Sequence, residues 1–245
     1  MPVPLKTISF LSRSEPVVRV GDETLPVRVT VRADARRMIL RVDAASRAVR
    51  LTLPRGVPVR DGIAFAEARA GWIAARLAAA AAPVPFAPGT TIGWRGEPRL
   101  LCHVTNARGI AIGDEAIIVG GPAEAFASRL ARALRSEARR LFAVDLADYA
   151  ARAGLAAPPR LAVADARGRW GSCSAKSGIR LNWRLAMAPD AVRRSVVAHE
   201  VAHLAHMNHS PAFYAWLDHL YDGDRRAADR WLKRHGPGLM LVGFG

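Results

Sequence analysis

The run His199-Glu200-Val201-Ala202-His203, continued by Leu204-Ala205-His206-Met207-Asn208-His209, reads H-E-x-x-H-x-x-H-x-x-H. Five of the seven histidines of the chain fall between His199 and His219. On a helix of about 3.6 residues per turn, residues four apart lie roughly 40° from each other around the axis. The imidazoles of His199 and His203 can therefore face one metal ion. Bound zinc lowers the pKa of its water to about 7 and polarises a carbonyl. Glu200, next to the first ligand, could accept that water's proton and hand it to a leaving amine. The surrounding stretch is apolar (Val196, Val197, Val201, Leu204), so the helix should be buried, and a buried His-Glu-His group needs partners.

A catalytic zinc takes three protein ligands and keeps one position open. His209, six residues after His203, is the first choice for the third. It requires the chain to leave the helix and fold back, and Asn208 is the nearest residue that tolerates left-handed backbone. If the helix continued, His206 would sit about 10 Å along the axis from His199, too far to share an ion bound at about 2 Å. It reads as an exposed or supporting residue. No Glu follows Glu200, so Asp218 is the second choice. An oxyanion formed at this centre needs hydrogen-bond donors, for which Tyr214, Arg169 and the backbone N–H groups at Gly171-Ser172 are candidates.

The elements that must carry these residues can be read from hydrophobic period. Val27, Val29 and Val31, then residues 39–42, then 49–53 alternate as half-buried antiparallel strands, with a turn at 43–47. Residues 58–82 change to a helical period through Ile63, Ala66, Ala70, Ile73 and Leu77, giving one amphipathic helix packed on that sheet. Pro83, Pro85 and Pro88 break it. Further strands are expected at 91–94, 100–104 and 116–119, and a domain boundary at Gly120-Gly121-Pro122. A long helix comes next over 124–153, its polar face rich in arginine, with Gly154 as its cap. Two short strands, 160–163 and 179–183, flank a loop over 167–174. Pro189 opens the motif helix, and two more helices start at Ser210 and Asp224. The expected fold is α+β: a loose tail over 1–16, an antiparallel β-rich part with one packed helix over 17–121, and a mainly helical domain over 122–245.

The chain has 245 residues, a net charge of +15 and only three lysines, so its basic groups are overwhelmingly scattered arginines. The charge suits nucleic acid or another polyanion; a bias of composition towards Arg and Ala explains it equally. Cys102 and Cys173 are the only cysteines and make no disulfide framework, and Cys173 reads as a small core residue. No apolar run approaches the roughly 20 residues of a membrane span, and the first residues lack a signal-peptide pattern. A cytoplasmic protein with no membrane association is expected.

Several stretches together resemble the YgjP-like metallopeptidases of the zincin clan. They are Arg169-Trp170-Gly171-Ser172-Cys173-Ser174, Ile179-Arg180-Leu181-Asn182-Trp183-Arg184-Leu185, the His199–Leu204 run, and Asn208-His209-Ser210 with Phe213-Tyr214. Weaker likeness upstream lies in Arg41-Val42, Leu53-Pro54-Arg55-Gly56-Val57 and Trp72-Ile73. The resemblance spans roughly Arg36 to Trp216. It implies one zinc ion on His199, His203 and His209, a catalytic Glu200, and a zincin-like fold for the C-terminal domain. It also implies a strand beside the motif helix whose free edge holds an extended peptide. Ile179, Arg180, Leu181 and Asn182, running on to Arg184, are expected to be that strand. Tyr214 departs from the family, which usually has Trp there. The family is similar in turn to SprT-like and WLM proteases that act on proteins crosslinked to DNA.

The expected function is zinc-dependent hydrolysis of peptide bonds in a protein or peptide substrate. Two alternatives stand beside it. One is a basic nucleic-acid-associated module with a structural zinc site. The other is a zinc amidase acting on non-protein amides, since the same centre serves any carbonyl.

Overall fold

The computed structural model describes residues 16–43, 46–78, 82–166, 168–174 and 176–243. Residues 1–15 of the expected 1–16 tail, two residues of the 43–47 turn, residues 79–81 of the expected 58–82 helix and residue 167 of the 167–174 loop lie outside them. The chain is α+β, with six α-helices and three sheets among the described residues. It divides into two compact units between Ala82 and Pro83, not at Gly120-Gly121-Pro122. The strand before those glycines explains the difference. Ile117 and Val119 are fully buried in one core with Leu130 and Leu134 of the long helix, so that strand belongs to the same unit as the helix.

The first unit holds β1 (Val17–Val20), β2 (Glu23–Arg32), β3 (Ile39–Asp43) and β4 (Ala48–Pro54), in the order β1-β2-β4-β3. The outer pairs are antiparallel, but β2 and β4 run parallel, with Val27 opposite Val49 and Val29 opposite Leu51. The expected all-antiparallel sheet is thus corrected to a mixed one: β3 is laid outside β4, and alternation is the same for either strand direction. The expected single helix is two, α1 (Val59–Glu67) and α2 (Ala70–Ala78). The apolar period continues across the break at Ala68-Arg69, so the pattern carries no mark of it. Ala66 and Ile73 pack against Val49, Leu51 and Leu53. A Cβ on Gly62 would lie 2.6 Å from Leu51 Cδ2, so glycine lets α1 approach β4.

The second unit opens with a sheet of β5 (Thr91–Trp94), β6 (Glu97–Val104), β7 (Ile110–Ile112) and β8 (Ala116–Gly120), in the order β5-β6-β8-β7. Then comes α3 (Phe126–Arg152), whose Leu130, Leu134, Phe142, Leu146 and Tyr149 form the spine of the core. Gly154, at φ 70°, ends it, with Leu155 N–H donating to the Ala150 carbonyl. A three-stranded sheet is next: β9 (Leu161–Ala164), β10 (Gly171–Ser174) and β11 (Gly178–Asn182), in the order β10-β11-β9. The last elements are α4 (Asp190–Ala202), α5 (Pro211–Leu220) and α6 (Arg225–Leu239). With two sheets, this unit is mixed α+β; the stretch expected to be mainly helical, 122–245, is the part of it that holds α3 to α6 and the sheet β9–β11.

Arginine and aspartate fasten α4 to its surroundings. Arg193 Nε donates to Asp145 Oδ2 of α3 at 2.6 Å, and both side chains are almost wholly buried. Arg194 bridges Asp145 at 3.2 Å and also pairs with Asp148. At the start of α4, Asp190 accepts from Arg95 Nε at 3.0 Å and pairs with Arg193. The Arg95 hydrogen bond, more than the neighbouring Arg193, holds the Asp190 carboxyl below its ordinary range.

Candidate metal centre

His199 lies in the last turn of α4, and His203 is the residue that caps it. Tight turns come directly after: Leu204 N–H donates to Val201 O and His206 N–H to Ala202 O. The chain reverses without any left-handed residue, so Asn208 does not play the part its type suggested; the only non-glycine residues with positive φ among those described are Arg47 and Arg95. Ser210 then caps α5 by accepting from Phe213 N–H at 3.3 Å, which fixes His209 just ahead of the new helix.

The reversal brings His209 Nε2 to 3.1 Å and His203 Nε2 to 3.2 Å from His199 Nε2. One ligand atom from each of the three lies within 4.8 Å of the others. His203 Nδ1 is 3.0 Å from the His206 carbonyl. A carbonyl only accepts, so Nδ1 carries the proton and Nε2 presents a lone pair to the cluster. Burial foremost, then the neighbouring His203 and His209, lowers the His199 pKa to about 4. It is neutral at neutral pH, as a metal ligand must be. Zinc–imidazole bonds of about 2.0–2.1 Å in a tetrahedral set bring nitrogens to roughly 3.3 Å of one another. The spacing of the cluster fits such an ion. Beneath the three rings sits the fully buried Phe213, its centroid 4.6–5.0 Å from theirs.

The other candidates fall outside the cluster. His206 contributes its carbonyl and no ring nitrogen. Asp218 accepts from Arg225 Nε at 3.0 Å, and His219 stacks on Trp216. Cys173 is half-buried against the core. Burial first, then Glu200, raises its pKa, which fits a packing residue rather than a thiolate.

Glu200 is only 6% exposed, and burial raises its pKa to about 7. It faces β10: a Cβ on Gly171 would lie 2.7 Å from Glu200 Cγ and Cδ. The open cleft here, of about 550 Å³, is lined by Trp170, Gly171, His199, Glu200, His209 and Tyr214, and by Arg225, Asp229 and Leu232 of α6. Tyr214 is thus at the cleft. Arg169 is exposed and is not among the lining residues. The cationic side chain present is Arg225, its guanidinium carbon 4.9 Å from the Tyr214 ring centroid. The spacing 225, 229, 232 places three residues on one helix face, a signal that would have found them.

The expected substrate strand needs a larger correction. Strand β11 is the middle strand of its sheet, with β10 antiparallel on one side and β9 parallel on the other. Ile179, Leu181 and Asn182 are buried, and Arg180 is exposed. Asn182 Nδ2 donates to the Ala166 carbonyl at 2.8 Å, and its Oδ1 accepts from Arg184 N–H at 3.0 Å. The strand ends there; Trp183–Met187 form a 3-10 turn, and buried Arg184 donates to the Val242 carbonyl and pairs with Asp165. The edge beside the cleft belongs to β10, which the sequence shows only as a loop. Asn182 N–H donates to Trp170 O. Alternation then turns the main-chain groups of Ser172 and Ser174 towards β11 and those of Gly171 and Cys173 towards the open edge.

Imidazoles converging beside a buried carboxylate in an open cleft are the furniture of metal-dependent hydrolases. The family model of the YgjP-like metallopeptidase domain matches residues 36–235, and the chain belongs to that family. The match runs past Trp216, where the motif resemblance stopped, and takes in most of α6. No curated protein matches the chain, and no solved structure does. No helix of the described residues is long and apolar enough to cross a membrane.

Proposed function

We propose that the chain is a zinc-dependent peptidase in which His199, His203 and His209 hold one ion and Glu200 is the catalytic base. The observation that carries this reading is the convergence of three imidazole Nε2 atoms one residue away from a buried carboxylate in an open cleft. Zinc bound there supplies an acidified water and a polarised substrate carbonyl.

The side chains supply the rest. Glu200, with a pKa raised to about 7, is matched to taking a proton at neutral pH. It takes that proton as the carbonyl carbon is attacked and returns it to the amine nitrogen as the C–N bond breaks. The hydroxyl of Tyr214, the guanidinium of Arg225 and the outward N–H of Gly171 are donors available in the cleft for the developing oxyanion. The open edge of β10 suits an extended peptide paired through its main chain. That edge favours a peptide substrate over a small amide, which has no backbone to pair.

Metal content and turnover test the reading together. Wild type and His206→Ala are expected to carry one zinc per chain, and His209→Ala much less. Glu200→Gln is expected to keep its zinc and lose about 10²–10⁴-fold in peptidase turnover on an unfolded protein. Full activity in that variant, or zinc lost from His206→Ala and kept in His209→Ala, would overturn the assignment.

A further inference from the structure

We propose that the first unit binds single-stranded nucleic acid on the outer face of its sheet, with Trp72 as the stacking platform at the β3 edge. Strand alternation sends Val27, Val49, Leu51, Leu40 and Val42 inward towards α1 and α2. It sends Arg28, Arg50 and Arg41 outward. These three are register partners on adjacent strands, Arg28 opposite Arg50 and Arg50 opposite Arg41. Together with Arg32, Arg36 and Arg37 they line one hollow of about 780 Å³. Like charges directly opposite across strands destabilise a sheet. Internal compensation is partial: Arg50 donates to Asp43 at 2.7 Å, and Arg32 pairs with Asp34 at 2.7 Å. Arg28, Arg36, Arg37 and Arg41 have no ion pair among the described residues. Unneutralised guanidinium groups on β2, on β3 and on the segment between them, with the partly compensated Arg50 of β4 in the same row, fit a chain of phosphates.

A second hollow borders the same edge strand and shares Arg37 and Arg41 with the first. Its other wall holds Phe65, Arg69 and Trp72. Arg69 covers the Phe65 ring at 3.7 Å, whereas Trp72 is 44% exposed, with Arg76 at 5.6 Å from its ring centroid. A partly exposed indole beside cations is how proteins stack unpaired bases while tracking the backbone. A duplex keeps its bases covered, and an acidic protein would use the arginines without the indole, so the pair of features favours a single strand. The net charge of the whole chain, +15, is of the same sign.

Fluorescence anisotropy of the full-length protein with labelled oligothymidylate, oligouridylate and a duplex, from low to physiological salt, tests the proposal. Either single strand is expected to bind more tightly than the duplex. Arg28→Ser/Arg41→Ser is expected to weaken binding and to flatten the log–log salt slope by about 1.4, at about 0.7 per lost phosphate contact. Trp72→Ala is expected to weaken binding about 5- to 100-fold with the slope unchanged. Arg132→Ser/Arg139→Ser, the same loss of charge on exposed positions of α3, is expected to bind as wild type does. Equal loss in that control pair would reduce the effect to overall charge and overturn the proposal. So would binding indifferent to Trp72→Ala, or poly-glutamate that competes as well as the oligonucleotide does. Circular dichroism of each variant separates lost contacts from lost fold, and none of these readouts passes through the metal site.

Discussion

Glu200 is held by burial in a state that suits proton transfer and burdens the folded chain. Its folded pKa of about 7 stands above an ordinary value of 4.5, so between those values the folded form binds the extra proton. His199, lowered from 6.5 to about 4, makes the metal-free protein more stable as pH rises between those values; the Glu200 contribution runs the other way, falling as pH rises from about 4.5 to about 7 and level beyond. Glu200→Gln removes that slope. Chelated Glu200→Gln is expected to be more stable than chelated wild type at pH near 8, by on the order of 1–3 kcal/mol; thermal melts across pH check this. Gly171 is the other residue on which Glu200 depends. Gly171→Ala adds a methyl where the carboxylate side chain now lies. It is expected to keep zinc, since no ligand moves, and to lose at least about 10²-fold in turnover because Glu200 is misplaced. His199, Glu200 and His203 were legible because their spacing matches one turn of helix, and His209 because it follows them within reach of a chain reversal. Gly171 was not, because a glycine's neighbour across two packed elements leaves no local pattern.

At the scale of elements, α4 must be held still for two ligands to share one ion, and its arginines do this. Asp145 is 2% exposed between Arg193 and Arg194. Asp145→Ala leaves the buried Arg193 guanidinium with Asp190 as its remaining carboxylate and is expected to cost on the order of 2 kcal/mol, less than a wholly unpaired buried charge, lowering the melting temperature by roughly 5 °C at a few degrees per kcal/mol. Denaturant melts measure it. The sequence marks α3 as a helix with an arginine-rich polar face, but the same residue types serve a solvated face and a buried clamp. Only packing tells Arg193 from Arg139. Strand β10 was missed for a related reason. Gly171-Ser172-Cys173-Ser174 has neither the branched residues nor the alternation that mark a strand; pairing with β11 makes it one. The strand that does look right, β11, is buried on both edges, and its apolar residues reflect that burial rather than a role at the cleft.

For the whole molecule, the division at Ala82/Pro83 leaves the three histidines, Glu200, β10 and α6 all in the second unit. That unit has its own core, from Ile92 to Val242. A fragment of residues 83–245 is expected to bind one zinc and to melt cooperatively, which metal analysis and calorimetry would establish; failure to fold would show that the boundary is not one of stability. Composition hid this division. Alanine and arginine run evenly through both units, and the glycines at 120 and 121 look more like a hinge than the prolines after Ala82 do. The order of strands was equally hidden, since hydrophobic period records burial and not partner.

The edge of β10 has a consequence for what the cleft could accept. Only Gly171 and Cys173 turn their main-chain groups outward, so a paired chain is gripped over a length of about two residues and by atoms every amino acid shares. Such a rail is blind to side-chain identity and strict about shape. A segment locked in a helix cannot lie on it, and one with proline where an N–H is needed forfeits a bond. Under the proposed function, selectivity would then come less from a preferred sequence than from which polypeptides have already lost their structure.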